Sequence, residues 1–303
     1  MGPLDLVKLT PLMARSAGRP EVIVGMIDGP VAVGHPGLAG RRVRVLPGAG
    51  RGSGCAADTL CRHGTFVAGV LSAGRSSVAP GICPNCTLLV RPVFAAEQPG
   101  CRPEQLADAI VETVRRGARV LNLSAASEQP SSAGHRALEG ALDYAASRGV
   151  IVVAAAGNQG RLGTSVITRH PWTIPVIAYD GRGRPMSLSN LGGSISIRGI
   201  GGPGEGIVSL GTGDHPFTIT GTSAATPFVS GAVALLMSEF PGSSASEVRS
   251  AVTRASTSPR RPLVPPLLDA WAAYEALRGR PDVVRSPPPL CAHQRCRRVH
   301  ESS

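Results

Sequence analysis

The chain has 303 residues, 42% hydrophobic and 3% aromatic, enough for one large α/β domain with an aliphatic core. Its net charge of +11 comes from 31 cations, all of them arginine except Lys8. Those arginines are scattered, only three Tyr, two Trp and five Phe are present to stack on bases, and no apolar run approaches the ~18 residues of a membrane span; neither nucleic acid nor membrane is expected as a partner.

The opening MGPLDLVKLTPLMARSAGRP lacks the apolar centre of a signal peptide, because Lys8, Thr10 and Pro11 interrupt it, so a cytoplasmic protein is expected. Thr10 reads as an N-cap, Pro11 as the first helical residue and Gly18 as the stop of a short helical extension over 1–20. The apolar run VIVGMI (22–27), closed by Asp28-Gly29-Pro30, predicts a strand buried on both faces. Further strands are expected in TLLVRPVF (87–94), ARVLNLS (118–124), VIVVAAA (150–156) and TIPVIAY (173–179).

Helices fall between them, from His63, from Pro103 and over about 133–148. In the second, Leu106, Ile110 and Val114 share a face, with Glu104 in the first turn and Arg115 and Arg116 in the last. Alternating strands and helices predict a three-layer α/β/α fold on a mostly parallel sheet, with functional groups beyond the carboxyl ends of the strands. After residue 180 the texture predicts small strands and turns rather than another βα unit. A buried helix from Ser223, a capped helix over 244–255 (Ser244, Glu247) and a last helix over about 267–278 complete a domain of residues 21–279. Residues 280–303 read as a Pro/Arg/Cys-containing tail.

Three segments stand where such a fold places chemistry. Asp28 ends the first strand, His63 opens RHGTFVAG, and Ser223 lies in GTSAATP. A serine hydroxyl becomes a useful nucleophile when an imidazole removes its proton, and a carboxylate holds that imidazole in the right tautomer. Gly221 permits a tight turn, Ala224 and Ala225 leave room for a substrate, and the helix start offers N–H groups to developing negative charge. Pro227 fits a first helical turn. In AAAGNQG (154–160), Asn158 ends a buried strand where its amide could donate to an oxyanion.

Together these segments resemble the subtilisin-like serine proteases, in whose order Asp28, His63, Asn158 and Ser223 stand. HGTFVAG and GTSAATPFVSGAVALL carry the likeness, and DGPVAVGHPGL carries it more loosely, over about residues 20–255. The resemblance implies a serine endopeptidase working through an acyl-enzyme, with no cofactor and a peptide or precursor peptide as partner. Gly29-Pro30 after the aspartate, where the family usually has Ser or Thr and then Gly, and Gly37 after His35-Pro36, are similar to the proteases that trim precursors in ribosomal peptide biosynthesis, such as those of cyanobactin pathways. By the same resemblance, Ser124, Ala125 and Ala126, and Ala154, Ala155, Ala156 and Gly157, would line an extended peptide by strand addition. Ala126 and Ser127 replace the family's glycines there, which would alter the pocket before the scissile bond.

Two alternatives use the same groove: a non-catalytic module that holds a precursor peptide, and acyl transfer to an amine by the same triad. An α/β-hydrolase would need a GxSxG elbow and the order Ser, Asp, His, and the sequence has neither. Sparse acidic residues predict no required metal and no calcium loop. The seven cysteines fall as Cys55 with Cys61, Cys83 with Cys86, Cys101 alone, and Cys291 with Cys296. A Cys55–Cys61 disulfide is one reading, although a reducing cytoplasm opposes it; zinc on Cys83, Cys86 and Cys101, or on Cys291, His293, Cys296 and His300, is another. No feature of the sequence sets an oligomeric state.

Overall fold

The computed structural model describes residues 1–48, 55, 58–94, 100–124, 132–213, 215–255 and 262–279. The tail over 280–303, with its candidate zinc ligands, lies outside the described residues, as do Ala125, Ala126 and Ser127. In chain order the elements are α1 (Pro3–Leu6), α2 (Leu9–Arg15), β1 (Ile23–Asp28), β2 (Arg42–Val45), α3 (Thr59–Ser72), β3 (Thr87–Pro92), α4 (Pro103–Arg115), β4 (Val120–Leu123), α5 (Ser132–Ser147) and β5 (Ile151–Ala155). There follow α6 (Val166–Arg169), β6 (Ile174–Tyr179), α7 (Gly193–Arg198), β7 (Ile200–Pro203), β8 (Ile207–Ser209), β9 (Phe217–Ile219), α8 (Thr222–Glu239), α9 (Ala245–Arg254) and α10 (Ala270–Arg278).

Seven strands form one parallel sheet in the order β2-β3-β1-β4-β5-β6-β7. From β1 the chain passes to the edge strand β2 and returns through β3, then crosses to β4 and builds away on the other side, so the reversal, where ligand crevices form in open α/β sheets, lies at β1. Successive side chains of β1 point to opposite faces: Val24 and Met26 enter the core shared with α2, α3, α8, α9 and α10, while Ile27 enters the core shared with α4 and α5. These are the expected three layers.

Several boundaries differ from the sequence reading, each for a local reason. Thr10 lies inside α2, whose N-cap is Lys8 in the left-handed region (φ 51°), and the Thr10 hydroxyl donates to the Asp5 carboxylate. The lysine instead spans the fold: its Nζ is 2.7 Å from the buried Asp269 carboxylate that caps α10. Helix α3 starts at Thr59, upstream of His63, because the Asp58 side chain accepts the Cys61 N–H at 2.7 Å and caps it there. Strand β2 has no apolar run, since Arg42 and Arg44 stand exposed on an edge strand. The region after residue 180 does contain another βα unit, as α7 leads into β7, which extends the sheet beside β6. Residues 266–268 run along the far side of β7, where the Gly201 N–H donates to the Pro266 carbonyl at 2.7 Å, and so α10 begins only at Ala270.

Among the described residues, no helix is long and apolar enough to cross a membrane. Helix α8 is nevertheless buried along almost its whole length. Pro227 sits in its second turn, not its first, and therefore removes the helical partner of the Ser223 carbonyl.

Candidate active site

Asp28 closes β1 and is buried with its Oδ1 turned toward α3. That oxygen accepts the Gly29 N–H at 2.7 Å and stands 2.7 Å from His63 Nδ1. With Nδ1–H donating to the carboxylate, the lone pair of the imidazole lies on Nε2. Burial alone lowers the pKa of His63; the charge of Asp28 and its hydrogen bond outweigh that and leave it above the ordinary histidine value.

The glycine after Asp28 has a steric cause. A Cβ on Gly29 would lie 2.4 Å from the Leu60 carbonyl oxygen, because α3 begins early and its first turn presses on this segment. Glycine at this position also lacks the hydroxyl that Ser or Thr would bring. Among the described residues, Asp28 Oδ2 is buried without a hydrogen-bond partner, and the carboxylate is answered at Oδ1 by Gly29 and His63.

Ser223 is the second residue of α8 and half-buried, in a first turn that starts from Gly221. Gly221 has φ 141°, and a Cβ there would lie 2.9 Å from Asn158 Nδ2; only glycine lets the amide come so near. Asn158 is exposed, just past β5. Its Oδ1 accepts both the N–H of Thr222, at 2.8 Å, and the Thr222 hydroxyl, at 2.9 Å. The Thr222 N–H can only donate, so the carbonyl side of the amide is fixed toward Thr222 and Nδ2 is left as its donor end. The Thr222 hydroxyl also accepts the Gly157 N–H at 3.3 Å. This threonine was not singled out in the sequence, where it reads as part of a glycine-rich cap.

The ladder between β4 and β5 ends at Leu123↔Ala154, whereas β5 and β6 stay paired to Ala155↔Val176. Ser124 follows directly and is buried, as are Ala154, Ala155, Ala156 and Gly157. Ser124 is also tied to α8, the helix that carries Ser223. Ser230 Oγ of α8 donates to Asn122 Oδ1 at 2.8 Å, and Asn122 Nδ2 donates to Ser124 Oγ at 2.6 Å, all inside the core.

Cys55 and Cys61 are joined by a disulfide, with Cys61 two residues before His63. Both sulfurs lie within 3.9 Å of Thr65 Oγ1, which accepts the Ala32 N–H at 2.9 Å, linking the bridge to the segment after Asp28. Cys83 and Cys86 are free thiols, and both they and Cys101 are buried. Among the described residues, no group of three or more His, Cys, Asp or Glu side chains is placed to hold a metal.

This geometry was compared with known proteins. The model of the subtilase family matches residues 19–270. The chain belongs to the subtilase family. Over 261 residues, 84% of this chain and 90% of its relative, this subtilase is 31% identical to subtilisin DY of Bacillus licheniformis. It superimposes with a TM-score of 0.80 on a point mutant of the protease domain of PatA, at 30% identity, covering 86% of this chain and 97% of that one. For the prenylagaramide maturation protease PagA the TM-score is 0.79 at 30% identity, covering 89% and 98%. The subtilase is a serine endopeptidase, and its substrate is a peptide.

Proposed function

We propose that this subtilase cleaves a precursor peptide with Asp28, His63 and Ser223 as its triad and Asn158 as oxyanion donor. The observation that carries the assignment is the 2.7 Å contact of Asp28 Oδ1 with His63 Nδ1 at the end of the strand where the sheet order reverses. His63 Nε2 takes the Ser223 proton as the hydroxyl attacks the scissile carbonyl, and returns it to the leaving amine. Water then resolves the acyl-enzyme by the same route. Asn158 Nδ2 and the Ser223 N–H, at the start of α8, receive the oxyanion. Beyond the last β4–β5 pair, Ser124 and the residues Ala154, Ala155, Ala156 and Gly157 line the peptide.

Restriction to a precursor is supported by likeness along nearly the whole chain to a protein described as a maturation protease, PagA, and by the Gly29 departure. A fluorophosphonate probe tests the chemistry: labelling of the wild type should vanish in Ser223→Ala and His63→Ala. Persistent labelling in Ser223→Ala would reject the nucleophile. Incubation with candidate precursor peptides, read by mass spectrometry, tests the substrate class, and digestion of casein at the same rate would reject a dedicated maturation role.

A further inference from the structure

Three backbone groups of the loop carrying Asn158 are bonded to one distant residue, Asn190. The Asn190 N–H donates to the Gly157 carbonyl at 2.9 Å. Its side-chain Oδ1 accepts the N–H groups of Gln159 and Arg161, each at 3.1 Å, and its Nδ2 donates to Gln159 Oε1 at 2.7 Å. Flanking bonds continue the seam: Gly160 N–H to the Leu188 carbonyl at 2.8 Å, and Leu191 N–H to the Arg161 carbonyl at 3.0 Å. One residue therefore binds the peptide groups on both sides of Asn158.

We propose that Asn190 is a positioning residue for the oxyanion donor, setting the backbone of 157–161 so that Asn158 Nδ2 faces the reacting carbonyl. The proposal rests on the reading of Asn158 as that donor. Thr222 holds the tip of the Asn158 side chain, and Asn190 holds its root. An amide suits the task because it offers two acceptor lone pairs to two N–H groups and a donor to Gln159 at once. An aspartate would keep the two backbone bonds, lose the third, and place a negative charge beside the spot where negative charge develops.

A double-mutant cycle on the full chain tests this, read as the second-order rate of Ser223 phosphonylation by a fluorophosphonate. Asn158→Ala should slow labelling by about 100- to 1000-fold, the usual loss for one oxyanion donor. Asn190→Ala should slow it by about 10- to 100-fold, as a displacement of order 1 Å does, with the acid limb set by His63 unmoved. In the Asn158→Ala background the same change should cost less than about 3-fold, since coupled sites are not additive. Equal cost in both backgrounds overturns the proposal alone, as does a wild-type rate in Asn190→Ala. A wild-type rate in Asn158→Ala overturns the oxyanion reading and this proposal with it. If Asn190→Ala does not accumulate, Asn190→Leu, which keeps the side-chain volume and removes the same bonds, carries the same cycle.

Discussion

Thr222 and Asn158 meet through a single oxygen: both the N–H and the hydroxyl of Thr222 donate to Asn158 Oδ1, at 2.8 and 2.9 Å. The bond from the hydroxyl can be removed without changing shape. Thr222→Val should lower kcat by about 10-fold or more while KM moves little, because the lost bond serves an orientation needed in the transition state. Thr222→Ser should restore most of the rate. It should also restore stability, since valine leaves the Gly157 N–H without its partner, at about 1–3 kcal/mol. Equal kcat values for the valine and serine variants would contradict the orienting role.

The pH dependence follows from the raised pKa of His63. The base acts as neutral imidazole, so kcat/KM should rise with pH through a limb lying above the ordinary histidine value near 6.5. Replacement Asp28→Asn removes the charge that raises the pKa and leaves burial, which lowers it; the limb should move down, while kcat falls by about 10,000-fold through loss of the tautomer. For stability the sign is opposite. A folded pKa above the unfolded one adds stability below the unfolded value, and this is lost as pH rises through the folded value, so the active form is the less stabilised one. A wild-type limb below 6.5 would contradict the assigned pair.

The Cys55–Cys61 bridge and the expectation of a reducing cytoplasm pull in opposite directions. The bridge pins the chain before α3 to the turn just ahead of His63, and both sulfurs contact the threonine that holds Ala32. Reduction with a phosphine, or the double change Cys55→Ser and Cys61→Ser, should lower the Tm, with about 2 kcal/mol lost. The rate of Ser223 labelling should fall along with it. Two thiols released by reductant, counted under denaturing conditions, would identify the bridge; full activity with those thiols free would detach it from the catalytic geometry.

Asn122→Leu tests the link between α8 and the end of β4. The change removes the partner of two buried hydroxyls, Ser230 and Ser124, and should cost about 2–6 kcal/mol in stability, one unsatisfied group each. If Ser124 shapes the peptide site, KM should rise more than kcat falls, as measured at a temperature where the variant is folded.

The residues proposed as the triad stand out in the sequence because His63 and Ser223 sit in segments whose neighbours are themselves demanded by packing. Gly64 and Ala68 belong to a helix pressed into the core, and Ala224 and Ala225 to another. The central strands were legible because burial on both faces requires continuous apolar runs, as in VIVGMI and VIVVAAA. Strand β2 was hidden because an edge strand can be half arginine, and β7 because Ile200-Gly201-Gly202-Pro203 looks like a turn until it is seen beside β6. Asn122, Asn190 and Thr222 escaped notice for a different reason. Their significance lies in partners 29 to 108 residues away, and nothing in a polar residue's local pattern names a distant partner.

Helix α8 carries Ser223 at its tip and is enclosed by the core along nearly all of its length. A change of side-chain volume at Phe228, Val229, Val233 or Leu236 is passed along a rigid rod to the hydroxyl at its end. Selection for a stable protein and selection for an active one therefore act on the same positions of this helix, with little room for neutral drift.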